Sequence, residues 1–234
     1  MNQNVAIIEI RGGTGGEEAK IWARELLKMY TKYAASKGFK VQSLDFGTIK
    51  ISGVDVFNHF RFEAGVHRVQ RIPLTERRGR IHTSTATIAV LPEIPQEQII
   101  INPADLEWQF YRSSTQGGQN VQKVSSAARV IHKPTGIIAS SEQERTQEQN
   151  RQIALTLLRS KLWEREEEKK LAILGQARSS AGLGMRSEKI RTYNFPQDRL
   201  TDHRIGKSWR NLEGIMEGKL DKIIELIAGK KSHS

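Results

Sequence analysis

The chain has 234 residues, enough for one large domain or two modest ones, each with its own core. Its 37 Lys and Arg against 26 Asp and Glu leave a formal net charge of +11, which points to a polyanionic partner. The absence of cysteine excludes disulfides and thiolate metal sites, and six histidines in no ligand-like spacing make a metal or other cofactor unexpected.

Val5 to Ile10 reads as a strand, followed by Gly12-Gly-Thr-Gly-Gly16 and a helix over about 17–36, in which Ile21, Ala23, Leu26, Leu27 and Tyr30 fall at helical spacing. The glycine loop could be a dinucleotide-phosphate cradle, but Glu17 and Glu18 in the first helical turn would repel the phosphate. Short strands are expected near 40–44, 48–51, 56–62 and 80–91, giving this half an α+β character with an antiparallel sheet. The positive excess is local: residues 61–80 hold six Arg and two Glu. Pro92, Pro95 and Pro103 mark a boundary.

Beyond it, Leu106–Tyr111 leads into the run that contains Gly117-Gly118-Gln119. Two glycines permit positive φ, and the glutamine that follows can donate and accept hydrogen bonds but cannot ionise. Such a tip can place an N–H beside a reacting carbonyl and cannot be a general base. A glycine turn between strands would look the same, but no acid occurs from Trp108 to Ser141, while Arg112, Lys123, Arg129 and Lys133 are basic. That pattern suits entry into folded RNA. Strands are expected at 129–132 and 137–139 around the turn Pro134-Thr-Gly136. A capping box at Ser141 to Glu144 would open a helix running to about Arg178 with Ile153, Leu157, Leu158 and Leu162 on its apolar face and a solvated, charged stretch from Trp163 to Lys170. Residues 179–184 read as a flexible connection, followed by a basic segment from Arg191 to Pro196 and a last helix from about Asn211.

Five motifs stand in one order: Ile10-Arg-Gly-Gly-Thr-Gly-Gly-Glu-Glu18, Gly65-Val-His-Arg-Val-Gln-Arg71, Gly79-Arg-Ile-His-Thr-Ser84, the Gly-Gly-Gln run, and Arg191-Thr-Tyr-Asn-Phe-Pro-Gln197 with Thr201-Asp-His-Arg204. In this the chain resembles the bacterial class I peptide chain release factors. The resemblance implies translation termination: a stop codon is read in the ribosomal A site, and hydrolysis of the P-site peptidyl-tRNA is triggered in the peptidyl transferase centre. Pro73-Leu74-Thr75 matches the Pro-x-Thr tripeptide of the type 1 factors, which read UAA and UAG; type 2 factors carry Ser-Pro-Phe there and read UAA and UGA.

Carried over residue by residue, the resemblance assigns codon recognition to Gly15, Glu18, Gln70, Pro73, Thr75, His82 and Thr83. Gly15 to Glu18 would hold the first uridine at a helix tip, and His82 would stack on the second base. Thr83 and Gln70 would read the third, where a group that both donates and accepts tolerates either purine. Gly117, Gly118 and Gln119 would be the catalytic tip, with the Gln119 N–H stabilising the oxyanion. A donor so placed is typically worth about 2.7–4 kcal/mol of barrier. The resemblance also implies that a glutamine methyltransferase converts Gln119 to N5-methylglutamine. Arg71, Arg77, Arg78, Arg80, Arg112, Lys123 and Arg129 are candidates for contact with ribosomal RNA. Since ribosomal RNA and tRNA supply most of the catalytic groups, the chain is not expected to be an enzyme on its own.

The implied fold is α+β in two bodies. A decoding unit comprises residues 1–103 with 183–234 packing back on it, and a small hydrolysis domain, 104–182, carries the Gly-Gly-Gln loop. The family usually has a helical domain before the first strand, and here the chain begins almost at that strand, which counts against an interaction with a GTP-hydrolysing class II factor. A related alternative is a short homologue acting in rescue of stalled or damaged ribosomes. The stretch between Val41 and Phe62 is shorter than usual, and Arg77-Arg78 stand where small or uncharged residues are common. A cytoplasmic monomer without membrane association is expected, since no apolar run approaches a membrane span and the N-terminus lacks a signal-peptide pattern.

Overall fold

Along β1 (Asn2–Gly12), Ala6, Ile8 and Ile10 are buried on one face while Ile7 and Glu9 turn to the other, the period-two pattern of a strand covered on both sides. In the computed structural model, which describes residues 2–73, 76, 78–94, 100–112 and 125–231, the chain divides into two units. One joins Met1–Pro95 to Ile173–Ser234, and the other is Gln96–Ala172.

The first unit is built on an eight-stranded sheet. Its strands are β1, β2 (Lys40–Asp45), β3 (Thr48–Ser52), β4 (Gly65–Arg71), β5 (His82–Glu93), β9 (Lys189–Asn194), β10 (Arg199–Asp202) and β11 (Lys207–Arg210). They lie in the order β11-β10-β9-β4-β5-β1-β3-β2. All pairings are antiparallel except β4 with β9, the contact that joins the C-terminal strands to the N-terminal sheet.

The helix α1 (Glu17–Ser36) lays Trp22, Leu26, Met29, Tyr30 and Tyr33, all fully buried, on the sheet face that carries Ala6, Ile8 and Ile10. Large side chains of this kind contribute about 1.5–3 kcal/mol each on full burial. Ile21 and Leu27 lie at the flanks of that stripe, only partly buried. Two short C-terminal helices, α4 (Leu212–Met216) and α5 (Asp221–Lys231), add Leu212, Ile215, Ile223, Ile224 and Ile227 to the same core. The sequence suggests one helix there. The break falls at Gly218, whose φ is 97° and where an added Cβ would come within 2.8 Å of the Tyr33 nitrogen, so the chain turns where only glycine fits.

Residues 56–62 are not the expected strand. They form the helix α2 (Val56–Phe60) and a 3-10 turn (Arg61–Glu63), because Val56, Phe57 and Phe60 all face the core, and a two-residue repeat would split Val56 from Phe57. Arg191, which opens the segment that reads as basic, does not lie on the surface. It is fully buried, giving Nε to Asp202 Oδ2 at 2.9 Å and Nη2 to Glu63 Oε1 at 2.6 Å. Tyr30 Oη donates to Glu63 at 2.7 Å, and Arg204 closes on Asp202 at 2.6 Å. Burial pushes both carboxyls up, but Arg191 and its hydrogen bonds outweigh it at Glu63, and Arg204 with Arg191 brings Asp202 down to about 2.

The second unit is a three-stranded antiparallel sheet, β6 (Leu106–Tyr111), β7 (Ala127–His132) and β8 (Ile137–Ser141), in the order β6-β7-β8. The long helix α3 (Gln147–Ser179) begins here and ends in the first unit. Ala154, Leu158 and Leu162 pack against Val130 and Ala139. Leu157, expected on the apolar face, is exposed, because the buried row runs at intervals of four from Asn150. The expected capping box at Ser141 is also replaced. Ser141 ends β8, and α3 starts at Gln147, where Thr146 Oγ1 accepts from the Gln149 N–H. In the first unit, Leu174 and Ala177 near the end of α3 pack with Ala181 on Ile7, Ala89 and Leu91, on the opposite side of the sheet from α1. No helix among the described residues is long and apolar enough to cross a membrane.

Candidate functional site

The β4–β5 ladder sets Gln70 opposite Thr83 and Arg71 opposite His82. This register follows from the pleat, since a slip by one residue would turn Val69, fully buried in the core, to the other face. Asn194 Nδ2 donates to Gln70 Oε1 at 3.2 Å, which fixes the amide so that its own NH2 group is available to donate. Thr83 is half-buried and His82 exposed beside it.

The glycine loop before α1 is held against the start of β5. Gly13 N donates to Thr85 O at 2.8 Å, Thr85 N to Thr14 O at 2.9 Å, and Thr14 N to Thr85 Oγ1 at 2.8 Å. Gly15 has φ 137°, and a Cβ built on it would lie 2.3 Å from Ser84 Oγ, so the loop approaches β5 as closely as glycine allows. The helix N-cap is Gly16, with no side chain closing the first-turn N–H groups. The 179–184 segment, read from its composition as flexible, is tied to the same place: Thr85 Oγ1 donates to Gly184 O at 2.8 Å, and Thr14 Oγ1 to the same oxygen at 3.3 Å.

Glu18 is buried. Its Oε1 accepts from Arg71 Nε at 2.7 Å, and its Oε2 has no hydrogen-bond partner among the described residues. Arg71 also forks onto Glu25 at 2.6 and 3.1 Å and lies over the Phe195 ring, 5.2 Å from its centroid. With only 15% of its side chain exposed, Arg71 anchors α1 to β4 instead of presenting a free cation to RNA. The structure thus brings Gly15, Glu18, Gln70, His82 and Thr83 to one end of the sheet.

Pro73, Thr75 and the arginines follow β4. Pro73 is buried and its carbonyl accepts from Glu76 N at 3.0 Å. Thr75 and Arg77 lie outside the described residues. Arg78 and Arg80 are exposed, and Arg80 reaches Glu76 at 3.2 Å. Glu76 was not legible as a site residue, yet its Oε2 also meets His82 Nε2 at 2.7 Å, and its Oε1 accepts the Arg78 N–H at 2.8 Å. That N–H, with Arg80, holds the Glu76 carboxyl below the ordinary range.

In the second unit, Gly117, Gly118, Gln119 and Lys123 lie outside the described residues. The strands on either side of that run are paired up to Tyr111 opposite Ala127. Arg112 is exposed, and Arg129 lies over the Tyr111 ring, 5.5 Å from its centroid, while Tyr111 Oη donates to Glu142 at 2.6 Å. The group that sequence reasoning missed is Asn150. It is fully buried, donates through Nδ2 to Ser126 O at 2.9 Å and Glu144 O at 2.8 Å, and accepts at Oδ1 from Ser141 Oγ and Glu144 N, both at 3.0 Å. Gln147 Nε2 adds a bond to Ser125 O at 3.1 Å. The signal was an asparagine standing where a four-residue apolar row would continue.

Residues 1–88 match the PCRF domain model and residues 95–204 the RF-1 domain model. The chain is 50% identical over 230 residues to peptide chain release factor 1 of Thermotoga maritima, covering 94% of this chain and 67% of that protein. It is 46% identical to peptide chain release factor 1 of Anaeromyxobacter dehalogenans, covering 94% and 62%. With the protein of the same name from Mycoplasma pneumoniae it shares 45% identity, covering 97% and 66%. A solved structure of RF2 of Thermus thermophilus superposes with a TM-score of 0.59 at 33% identity, covering 99% of this chain and 69% of that one. The chain belongs to the peptide chain release factor family. Within it, these curated relatives carry the type 1 name, and the chain spans about two thirds of their length.

Proposed function

We propose that this chain reads the stop codons UAA and UAG in the ribosomal A site and triggers hydrolysis of the P-site peptidyl-tRNA. The observation that carries the reading is the convergence of Gly15, Glu18, Gln70, Thr83 and His82 at one end of the sheet, where helix N–H groups and amide and hydroxyl side chains lie beside an exposed imidazole. That set can hydrogen-bond the edges of unstacked bases and stack on one of them. Thr75 follows Pro73 and Leu74 and supplies the hydroxyl expected of a UAA/UAG reader. The type 1 names of the relatives agree with this specificity.

The unit holding β1–β5 and β9–β11 is the decoding body, and the Gly-Gly-Gln run belongs to the hydrolysis body. The Gln119 N–H would stabilise the oxyanion, with ribosomal RNA and tRNA supplying the rest, so the chain has no hydrolytic activity away from the ribosome. The side-chain amide of Gln119 is the substrate of a glutamine methyltransferase, and the site of action is the cytoplasm. The test is single-turnover peptide release on ribosomes carrying UAA, UAG, UGA or no codon in the A site. Release at UAA and UAG with little at UGA is expected; equal release at UGA or with an empty A site overturns the reading.

A further inference from the structure

Away from the codon-reading end, β11, α4 and the start of α5 line a half-open cavity of about 400 Å³. That is within the range of about 300–1,000 Å³ typical of ligand sites. Trp209 lines it while packing partly on the core, so the indole is held in place and one part of it faces the cavity. Arg210, Lys219 and Lys222 also line it, all exposed and in no ion pair among the described residues. The acid in the lining, Asp221, is already paired with Lys37. The cavity therefore combines an anchored aromatic surface with three uncommitted cations and a carboxylate neutralised from outside.

We propose that this cavity binds one nucleotide of a single-stranded or looped-out RNA segment, the base stacking on Trp209 and the flanking phosphates held by Arg210, Lys219 and Lys222. An aromatic surface serves any base, and flexible cations serve a backbone whose phosphates are not at fixed spacing. An apolar small molecule would leave the three cations unanswered, and a free phosphate would leave Trp209 idle. The inference does not depend on stop-codon reading.

The test is fluorescence-anisotropy binding of the whole chain to a short labelled single-stranded RNA across a salt series. The triple variant Arg210→Ala, Lys219→Ala, Lys222→Ala is expected to bind about ten-fold or more weaker, with a salt slope shallower by about two, as three lost phosphate contacts require. Lys28→Ala, Lys40→Ala, Arg159→Ala removes equal charge from exposed positions elsewhere and is expected to weaken binding clearly less. Trp209→Leu should reduce affinity about five-fold or more, and Trp209→Phe should restore most of it. Thermal melts of each variant separate lost binding from lost folding. The proposal is overturned if the two triple variants behave alike, if Trp209→Leu binds as the unaltered chain does, or if a free nucleoside monophosphate fills the cavity without competition from RNA.

Discussion

Thr85 and Thr14 hold each other from both directions: the Thr85 N–H donates to the Thr14 carbonyl at 2.9 Å, and Thr85 Oγ1 accepts the Thr14 N–H at 2.8 Å. The same hydroxyl donates to Gly184 O at 2.8 Å, so one buried group ties the loop before α1, the start of β5 and the 179–184 segment together. Thr85→Val keeps the shape but leaves the Thr14 N–H and the Gly184 carbonyl one partner short. Each buried group left unsatisfied costs about 1–3 kcal/mol. We expect a lowered melting temperature and a raised half-saturating concentration for release at UAA. An unchanged melt and unchanged release would show that the loop does not need this tie.

Glu76 touches His82 and Arg80 with one oxygen and the Arg78 N–H with the other, a geometry that orients the imidazole at the edge of the proposed codon-reading surface. Glu76→Ala should therefore weaken codon-dependent binding while leaving single-turnover hydrolysis at saturating protein close to normal. Glu76→Gln should recover part of the loss, because its amide oxygen still accepts. If both variants match the unaltered chain at every concentration, His82 is positioned by something else.

How far the sequence foretold this depends on what kind of signal each part left. The bounds of α1, the strands β2 and β3, and the hairpin β7–β8 followed from periodicity and turn residues, which are local. The 56–62 segment was misread because a stretch so short fits a strand template until the core shows Val56, Phe57 and Phe60 on one side. Arg191 reads in the sequence only as the start of a basic segment, because its partners Glu63 and Asp202 lie on other elements, and β4–β9 pairing alone brings Glu63 to it. Among the proposed site residues, Gly15, Gln70, His82 and Thr83 stand in motifs that can be read from the sequence. Glu76 and Asn150 were not, since each acts through neighbours that only folding supplies.

A third expectation concerns acid. His67 is fully buried, its Nε2 facing the Glu63 carbonyl at 3.1 Å and its Nδ1 the Tyr193 hydroxyl at 3.1 Å. A carbonyl can only accept, so Nε2 carries the proton and Nδ1 accepts, which assigns the neutral tautomer. Burial, with Arg191 nearby, pushes the imidazole down to about 3, against 6.5 for an exposed histidine. Between these values the unfolded chain binds a proton that the folded one refuses, so stability is full above about pH 6.5 and declines as pH falls towards 3. Asp202, brought down to about 2, adds a further decline below its ordinary value near 3.8. Denaturant titrations at stepped pH should show this slope, and His67→Gln should flatten it between pH 6.5 and 4 even if it lowers stability overall. A slope unchanged by the substitution would assign the acid sensitivity to other groups.

The last expectation concerns Asn150, which secures the chain where it re-enters β7. Four hydrogen bonds converge on its amide, and three of them are to the backbone, at Ser126 O, Glu144 O and Glu144 N. Asn150→Leu continues the apolar row of Ala154, Leu158 and Leu162 and improves helix propensity, so pattern alone predicts a stabilised α3. The hydrogen bonds predict the reverse. Leucine leaves the Ser126 and Glu144 carbonyls, the Glu144 N–H and the Ser141 hydroxyl to find other partners, and the loss should be on the order of 2–4 kcal/mol if two of these stay unsatisfied. In release assays the two effects separate. If Asn150 fixes the base of the Gly-Gly-Gln run, the rate at saturating protein should fall while the concentration for half-saturation on a UAA codon stays near normal. Gln119→Pro, which removes the proposed oxyanion donor and fixes φ, should show the same pattern more severely. A variant that melts higher than the unaltered chain and releases peptide at the same saturated rate would mean that the helix pattern, and not the amide, governs this position.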